Sequence, residues 1–387
     1  MCTKMTNKDF KEKKIKIAFI LPNLGGGGAE RTILNLCSNL NREKFEITLI
    51  LGKKKGEYIK FLPSDIEIFD LRVNHVMFSL SKLLKLIKKI KPDIIFSTLT
   101  HMNIVVLLLK YLFSKNIKII IREANFFSTA YKESRNLKAK ILPFFIKLLY
   151  NKANKIIFLS KGMSEDFYRV FSNYIEKPKM LVIPNPINIR KIDELKYEDI
   201  HEQLFEDGNK RIIAIGRLTK QKGYKYLLDA VSLIIREISN IKLLILGEGE
   251  DRKFLEEYAK KIGVSKYVCF CGFKSNPYKY LAHSDVFVLA SLWEGFGNVI
   301  LEAMACGIPV VATDCPSGPR EIISHMEDGL LVPVRDAKSL ATAIIELLRN
   351  ESLREKLVTN AFKKVGNFDV DKIVNIYEKL FEEVFKS

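Results

Sequence analysis

Glu294 and Glu302 bracket the run Glu294-Gly295-Phe296-Gly297-Asn298-Val299-Ile300-Leu301-Glu302, which continues Ala303-Met304-Ala305-Cys306-Gly307-Ile308-Pro309. The run follows a β-rich stretch ending near Ala290-Ser291. Glycines open the turn. A helix starting near Gly297 aims its free N-terminal N–H groups and the positive end of its dipole at whatever lies before it. Glu294 then belongs to the turn and Glu302 to the helix. Two carboxylates so placed can accept hydrogen bonds from the hydroxyls of a sugar and of a ribose.

Gly216-Arg217-Leu218-Thr219-Lys220-Gln221-Lys222-Gly223 also stands at the end of a strand-like run. Two cations separated by a short loop, Arg217 and Lys222, can converge on one diphosphate. Charge-assisted contacts of that kind contribute roughly 1.5–3 kcal/mol each. Gly25-Gly26-Gly27-Gly28-Ala29-Glu30-Arg31 follows the first strand. Glycines there let a backbone pass close to a ligand, and the helix behind them suits a diphosphate. The G-x-G-x-x-G pattern with a distant acid, the mark of a dinucleotide site, is missing.

Other combinations point less far. Asp369-Val370-Asp371 is a literal D-x-D, a pattern that can hold a metal with a diphosphate, but it precedes a helical stretch where Asp is an ordinary cap. Cys269-Phe-Cys271 sits on an expected strand with both thiols on one face, and a buried structural role is expected for it. No metal site is expected.

These segments need a scaffold of alternating β and α. Strands are expected at Ile15–Pro22, Glu46–Leu51, Ile66–Asp70, Ile94–Ser97, Ile117–Arg122, Lys155–Leu159 and Lys179–Pro184. A second series runs Arg211–Ile215, Lys242–Leu246, Tyr267–Cys271, Val286–Ala290, Pro309–Thr313 and Gly329–Val332. Two such series predict an α/β chain with two Rossmann-like domains. With 387 residues the chain exceeds what one core usually holds. The boundary falls at Asn185-Pro186-Ile187-Asn188, giving domains over 1–186 and 187–369.

Charge is unevenly placed. Residues 1–190 hold 35 Lys and Arg against 15 Asp and Glu, whereas the remainder holds 28 against 30. The whole +18 excess therefore lies in the first half, which calls for an anionic partner. Nucleic acid is not expected, because no binding motif or aromatic-studded basic patch accompanies the charge. Ser79–Lys91 alternates Leu80, Leu83, Leu84, Ile87 and Ile90 with lysines at helical spacing, and Lys132 to Lys155 is a second basic-apolar stretch. Such helices can lie on anionic lipid or pack as ordinary surface helices. The first fourteen residues are polar and Lys-rich, no apolar run reaches transmembrane length, and six Cys lack framework spacing. A cytoplasmic protein, peripheral at the inner face of the cell membrane, is expected.

Taken together and in this order, Glu294-x7-Glu302, the Gly216-Arg217-Leu218 to Gln221-Lys222-Gly223 loop and the Gly-Gly-Ala-Glu-Arg start resemble family 4 of the retaining glycosyltransferases. The resemblance runs from about Lys16 to Phe385. It implies the GT-B fold, with two parallel sheets facing a central cleft and a C-terminal helix, about 370–387, crossing back onto the first domain. It implies that Arg217 and Lys222 hold the donor diphosphate, and that Glu302 binds the ribose. Glu294 would contact the transferred sugar, aided by N–H groups near Phe296, Gly297 and Asn298. The Gly216 turn and the backbone at Gly272-Phe273 would face the nucleotide, and Gly26, Gly27 and Gly28 would close over the diphosphate. Many members carry a His after the fifth strand. Here the run reads Ile121-Arg122-Glu123-Ala124-Asn125, so Glu123 or a neighbour takes that place, with His101 as a second acceptor-side candidate.

The implied mechanism places Arg217, Lys222, Glu294 and helix N–H groups around a departing nucleoside diphosphate. Retention would follow front-face attack in which a leaving phosphate oxygen accepts the acceptor's proton, without a dedicated protein base, metal or other cofactor. Asp314-Cys315-Pro316-Ser317-Gly318-Pro319-Arg320-Glu321 resembles transferases that build bacterial capsule, lipopolysaccharide or protein-glycan chains. A UDP-hexose or UDP-N-acetylhexosamine donor and a saccharide acceptor on a polyprenyl diphosphate are the expected substrates. The rivals are a sugar-nucleotide epimerase of the same architecture and a non-catalytic membrane-docking scaffold. The first needs acid–base groups around the donor. The second has no use for Arg217, Lys222, Glu294 and Glu302 together.

Overall fold

The computed structural model describes residues 13–25, 27–73, 79–112, 117–129, 137–200 and 208–387. A seven-stranded sheet contains β1 (Ile15–Leu21), β2 (Phe45–Leu51), β3 (Glu67–Asp70), β4 (Ile94–Thr98), β5 (Lys118–Arg122), β6 (Lys155–Phe158) and β7 (Met180–Val182). Its order is β3-β2-β1-β4-β5-β6-β7. A six-stranded sheet contains β8 (Lys210–Ile215), β9 (Ile241–Leu246), β10 (Val268–Gly272), β11 (Val286–Leu289), β12 (Val310–Thr313) and β13 (Leu330–Val332), in the order β10-β9-β8-β11-β12-β13. Every expected strand forms within one or two residues of its expected ends. Neighbours pair in parallel, with Ile17 opposite Ile47 and Ile94, and Ile213 opposite Leu244 and Phe287. Strands such as β1 and β9 are nearly all apolar because helices cover both faces of a parallel sheet.

Packing divides the chain into two compact units. The first comprises residues 1–122, 142–156 and 374–387, and the second 123–141 and 157–373. These ranges differ from the expected 1–186 and 187–369, because residues 157–186 close β6 and β7 but pack within the second unit.

In the first unit the C-terminal part of the helix Val370–Lys386 supplies the centre of the core. Phe381 is fully buried, with its ring 5.9 Å from Phe96, 6.0 Å from Phe45 and 6.3 Å from Phe19. Tyr377 packs 5.8 Å from Phe96. In the second unit Leu227, Leu228, Val231 and Ile234, on one face of the helix Tyr224–Ile234, pack on Ile212, Ile245 and Val288 of the sheet and on Ile344 and Leu347 of the helix Ala337–Arg349.

One expectation about the fold is corrected. Cys269 and Cys271 are half-exposed and not buried, because β10 is the outer strand of its sheet.

Truncating Phe381 to Ala should destabilise the first unit by about 3–5 kcal/mol through loss of apolar contact and the cavity left behind. Hydrogen exchange at β1 and β4 should accelerate while β8 and β9 stay protected. Unchanged protection of β1 and β4 would remove this helix from that core.

Candidate functional site

In an open parallel sheet, ligands bind beyond the carboxyl ends of the strands where the strand order reverses. In the second sheet that point lies between β8 and β11. The Gly216–Gly223 loop follows β8 and the Ser291–Gly297 turn follows β11. Backbone geometry brings them together. Gly223 has φ +62°, and a Cβ there would stand 2.1 Å from the Ala290 carbonyl oxygen, so only glycine lets the loop lie against the end of β11. Gln221 then ties the two segments: its Nε2 donates to Trp293 O at 2.9 Å, and its carbonyl accepts from Leu292 N at 2.8 Å.

That arrangement sets Lys222 Nζ 2.5 Å from Glu294 Oε1. Both side chains are largely buried, at 15% and 8% exposure. Ser291 Oγ donates to the same carboxylate oxygen at 2.6 Å. Behind Ser291, Thr313 Oγ1 and Cys315 Sγ both donate to its carbonyl, at 2.5 and 3.1 Å. Ser317 Oγ donates to Glu294 O at 2.6 Å. Burial pushes the Cys315 thiol up to about 12, so it stays protonated and can act as that donor. Tyr224 donates its hydroxyl to Gly216 O at 3.1 Å; burial, then the nearby Glu294 charge, raise the phenol's pKa and keep it a neutral donor.

Gly297, at φ +98°, starts the helix Asn298–Cys306 without a side-chain cap. Gly318, at φ +76°, passes close enough to the Phe296 carbonyl that a Cβ would lie 2.3 Å from its oxygen. Phe296 and Glu302 are buried, and Asn298 Oδ1 accepts from Asn185 Nδ2 at 2.7 Å. Arg217 is exposed at the start of the loop. Gly272 closes β10 at φ +72°, its carbonyl accepts from Gly247 N at 2.8 Å, and Phe273 beyond it is 56% exposed.

Thus the structure joins Lys222 directly to Glu294, places Arg217 in the same loop as Lys222, and puts Glu302 in the helix that Phe296, Gly297 and Asn298 introduce. Two strands, β8 and β9, separate Gly272 and Phe273 at the end of β10 from β11. Sequence reasoning missed Ser291, Thr313 and Tyr224. Hydroxyls at strand ends were the available signal, but nothing in their spacing separates a brace from ordinary loop polarity.

In the first unit, Gly27 precedes the helix Gly28–Asn39 and Gly26 lies outside the described residues. Arg31 Nε donates to Tyr58 OH at 2.9 Å. His101 is exposed in the first turn of the helix Thr100–Leu112, and partial desolvation lowers its pKa. Arg122, the neighbour of Glu123 in the run that stands where many members carry a His, is fully buried at the end of β5. Its Nη1 donates to Thr98 Oγ1 at 3.1 Å and its Nη2 to Thr32 Oγ1 at 3.3 Å. Thr32 in turn donates to Gly28 O at 3.0 Å, so the guanidinium anchors the helix behind the glycine loop. In the second unit, Glu123 is 3% exposed and donates its N–H to Ile157 O at 2.8 Å. Asp369 Oδ1 accepts from Asp371 N at 3.1 Å and Arg190 donates to Asp371 at 3.1 Å, so this D-x-D serves a helix start. Among the described residues no three His, Cys, Asp or Glu side chains gather as metal ligands.

Gly223→Ala should lower stability by about 1–3 kcal/mol, since φ and space both oppose a side chain there. A thermal melt reads it. An unchanged melting temperature would show that the loop does not depend on this close approach.

Residues 196–364 match the family model described as Glycosyl transferases group 1, and residues 26–191 match Glycosyltransferase Family 4. A Campylobacter jejuni protein named N-acetylgalactosamine-N,N'-diacetylbacillosaminyl-diphospho-undecaprenol 4-alpha-N-acetylgalactosaminyltransferase is 34% identical over 368 residues, 92% of this chain and 97% of that protein. An Escherichia coli protein named UDP-Gal:alpha-D-GlcNAc-diphosphoundecaprenol alpha-1,3-galactosyltransferase is 27% identical over 391 residues, 94% of this chain and 97% of that one. The crystal structure of Anabaena Alr3699/HepE in complex with UDP-glucose shares the fold at a TM-score of 0.80 and 20% identity, covering 95% of this chain and all of that one. Two doubly wound parallel sheets, a braced Lys–Glu pair at the second switch point and these matches lead to one assignment: the chain is a glycosyltransferase of family 4, with the GT-B fold.

Proposed function

We propose that the enzyme transfers a hexosyl or N-acetylhexosaminyl group from a UDP-sugar to a saccharide carried on a polyprenyl diphosphate, with retention of anomeric configuration, in assembly of a surface polysaccharide or glycan. The observation that carries this reading is the Lys222–Glu294 pair held at the switch point of the second sheet. A pinned carboxylate accepts hydrogen bonds from donor-sugar hydroxyls, and the ammonium beside it takes the diphosphate. Arg217 and the N-terminal N–H groups of the helix Asn298–Cys306 add to the stabilisation of charge that grows on the leaving group. Two cations there supply what a divalent ion can supply elsewhere. Glu302 holds the ribose, and the backbone at Gly272-Phe273 faces the base.

Glu294 already accepts from Lys222 and Ser291, which suits a fixed hydroxyl acceptor better than a mobile nucleophile. Front-face attack fits that geometry, with a phosphate oxygen taking the acceptor's proton. Both named relatives make α-linkages to saccharides on diphospho-undecaprenol, which supports an α-retaining reaction and a lipid-linked acceptor here. His101 and Glu123 are the candidates for acceptor contact.

The enzyme works docked on an anionic membrane surface, peripheral at the inner face of the cell membrane. The helix Leu80–Ile90 buries Leu83 and Ile87 within its own unit and leaves Lys85, Lys88 and Lys89 exposed, so it contributes charge and little apolar contact. The helix Leu137–Leu149 instead exposes Phe144 at 64% and Leu148 at 52%, with Lys147 exposed between them. Basic residues near an anionic surface contribute about 1 kcal/mol each.

Thermal-shift binding of UDP, GDP and ADP, with and without Mg²⁺, tests the donor site. A metal-independent shift with UDP alone, lost in Arg217→Ala and Lys222→Ala, is expected; no shift with any nucleotide would sink the assignment. Lys222→Ala should cut turnover by about 10²–10³-fold, as loss of one preorganised electrostatic group does, with unchanged circular dichroism. Flotation with phosphatidylglycerol vesicles at low salt tests docking: the protein should float with them and stay down with phosphatidylcholine. Failure to float with the anionic vesicles removes the membrane from the model.

A further inference from the structure

Cys269 and Cys271 lie on β10, the outer strand of the second sheet. In a regular strand, alternate residues are about 6.6 Å apart along the chain, two rises of 3.3 Å, which keeps their sulfurs apart. Here the register against β9 shifts between Phe270 and Gly272: Phe270 pairs with Ile245 and Gly272 with Leu246, so Cys271 is the extra residue of a bulge. A bulge bends its strand and re-aims the side chains next to it. The Cys271 and Cys269 sulfurs stand 3.4 Å apart. Both residues are half-exposed, whereas Cys37, Cys306 and Cys315 are buried.

We propose that Cys269 and Cys271 form a reversible dithiol–disulfide site, closed by thiol–disulfide exchange with a small disulfide such as oxidised glutathione. One cysteine thiolate attacks the glutathione disulfide, forms a mixed disulfide and releases one glutathione. The second thiolate attacks the protein sulfur of that mixed disulfide and releases the other glutathione. The protein loses two hydrogens, which leave on the two glutathione thiols, and the glutathione disulfide is the species reduced.

The bulge ends at Gly272, whose carbonyl accepts the Gly247 N–H at the end of β9. Gly247 itself lies against the Gly216 carbonyl, where a Cβ at Gly247 would stand 2.1 Å from the oxygen. Gly216 precedes Arg217. Closing the disulfide tightens the bulge and draws on this chain of three strand ends. Oxidation therefore weakens nucleotide binding, a consequence that rests on the donor-site reading above.

The full chain, incubated with oxidised glutathione, alkylated and cut with trypsin, gives the Tyr267–Lys274 peptide, which carries both cysteines. The expected result is that peptide two hydrogens lighter and unalkylated, restored by dithiothreitol, with Cys315 remaining a thiol. Cys271→Ser should instead trap glutathione on Cys269. A wild-type peptide that keeps glutathione, or that is alkylated at both cysteines, overturns the site. UDP affinity of the wild-type chain should fall about five- to tenfold on oxidation and recover with dithiothreitol; equal affinity in both wild-type states overturns the coupling. The mass readout decides the site whether or not UDP binds.

Discussion

Lys222 and Glu294 are two opposite charges taken largely out of water, and that single pairing dictates what must surround it. Desolvating each ion costs several kcal/mol, and attraction offsets this only when geometry is tight and the remaining lone pairs are satisfied. Ser291 meets the same carboxylate oxygen, and Ser317 holds the backbone carbonyl of the same glutamate. Thr313 and Cys315 then fix Ser291 from behind. These partners come from two neighbouring strand ends, Ser291 after β11 and Thr313, Cys315 and Ser317 at the end of β12 or in the loop after it. The pair is therefore a property of the sheet, and no single loop could hold it.

The sheet can do this because its strands are parallel and its order reverses between β8 and β11. Connections leave these two strands in opposite directions, so the loops after them diverge and leave room for a ligand. Closeness has to be restored locally, and Gly223 restores it by lying against the Ala290 carbonyl. Gly318 does the same on the other side against Phe296. Glycine at these positions is required by approach distance and by left-handed φ, and any side chain would push the ionic partners apart.

Much of this was legible in the chain itself. Strand positions were legible because a parallel sheet buries both faces, which leaves short uninterrupted apolar runs such as Ile94–Ser97 and Val286–Ala290. Lys222 and Glu294 were legible because glycines and charges together at strand ends are rarely needed for packing. Their direct contact was not legible, since 72 residues separate them and only the β8–β11 neighbourhood closes that distance. Arg122 stood in the sequence only as a neighbour of Glu123; that Thr98 and Thr32 enclose its guanidinium depends on residues 24 and 90 positions away and was not legible. The Cys269–Cys271 pair was misjudged because burial depends on which strand is outermost, and strand order does not follow sequence order.

The two halves of the chain carry their cations differently, in line with the partners proposed for them. In the second unit the cation that matters is Lys222, fixed against a carboxylate at a strand end, and charge over residues 191–387 is nearly balanced, with 28 basic and 30 acidic residues. A donor with one diphosphate asks for a few cations held rigidly in one place. The first half holds 35 basic residues, among them those exposed on the helix Leu80–Ile90, whose apolar residues Leu83 and Ile87 face inward. Its exposed lysines are long, flexible and individually weak. Such charges add up only against an extended anionic surface, where no fixed geometry is needed and each contributes independently. Rigid, paired charge at the second sheet and dispersed charge over the first half thus suit the two partners proposed for this enzyme, a single diphosphate and an anionic membrane surface.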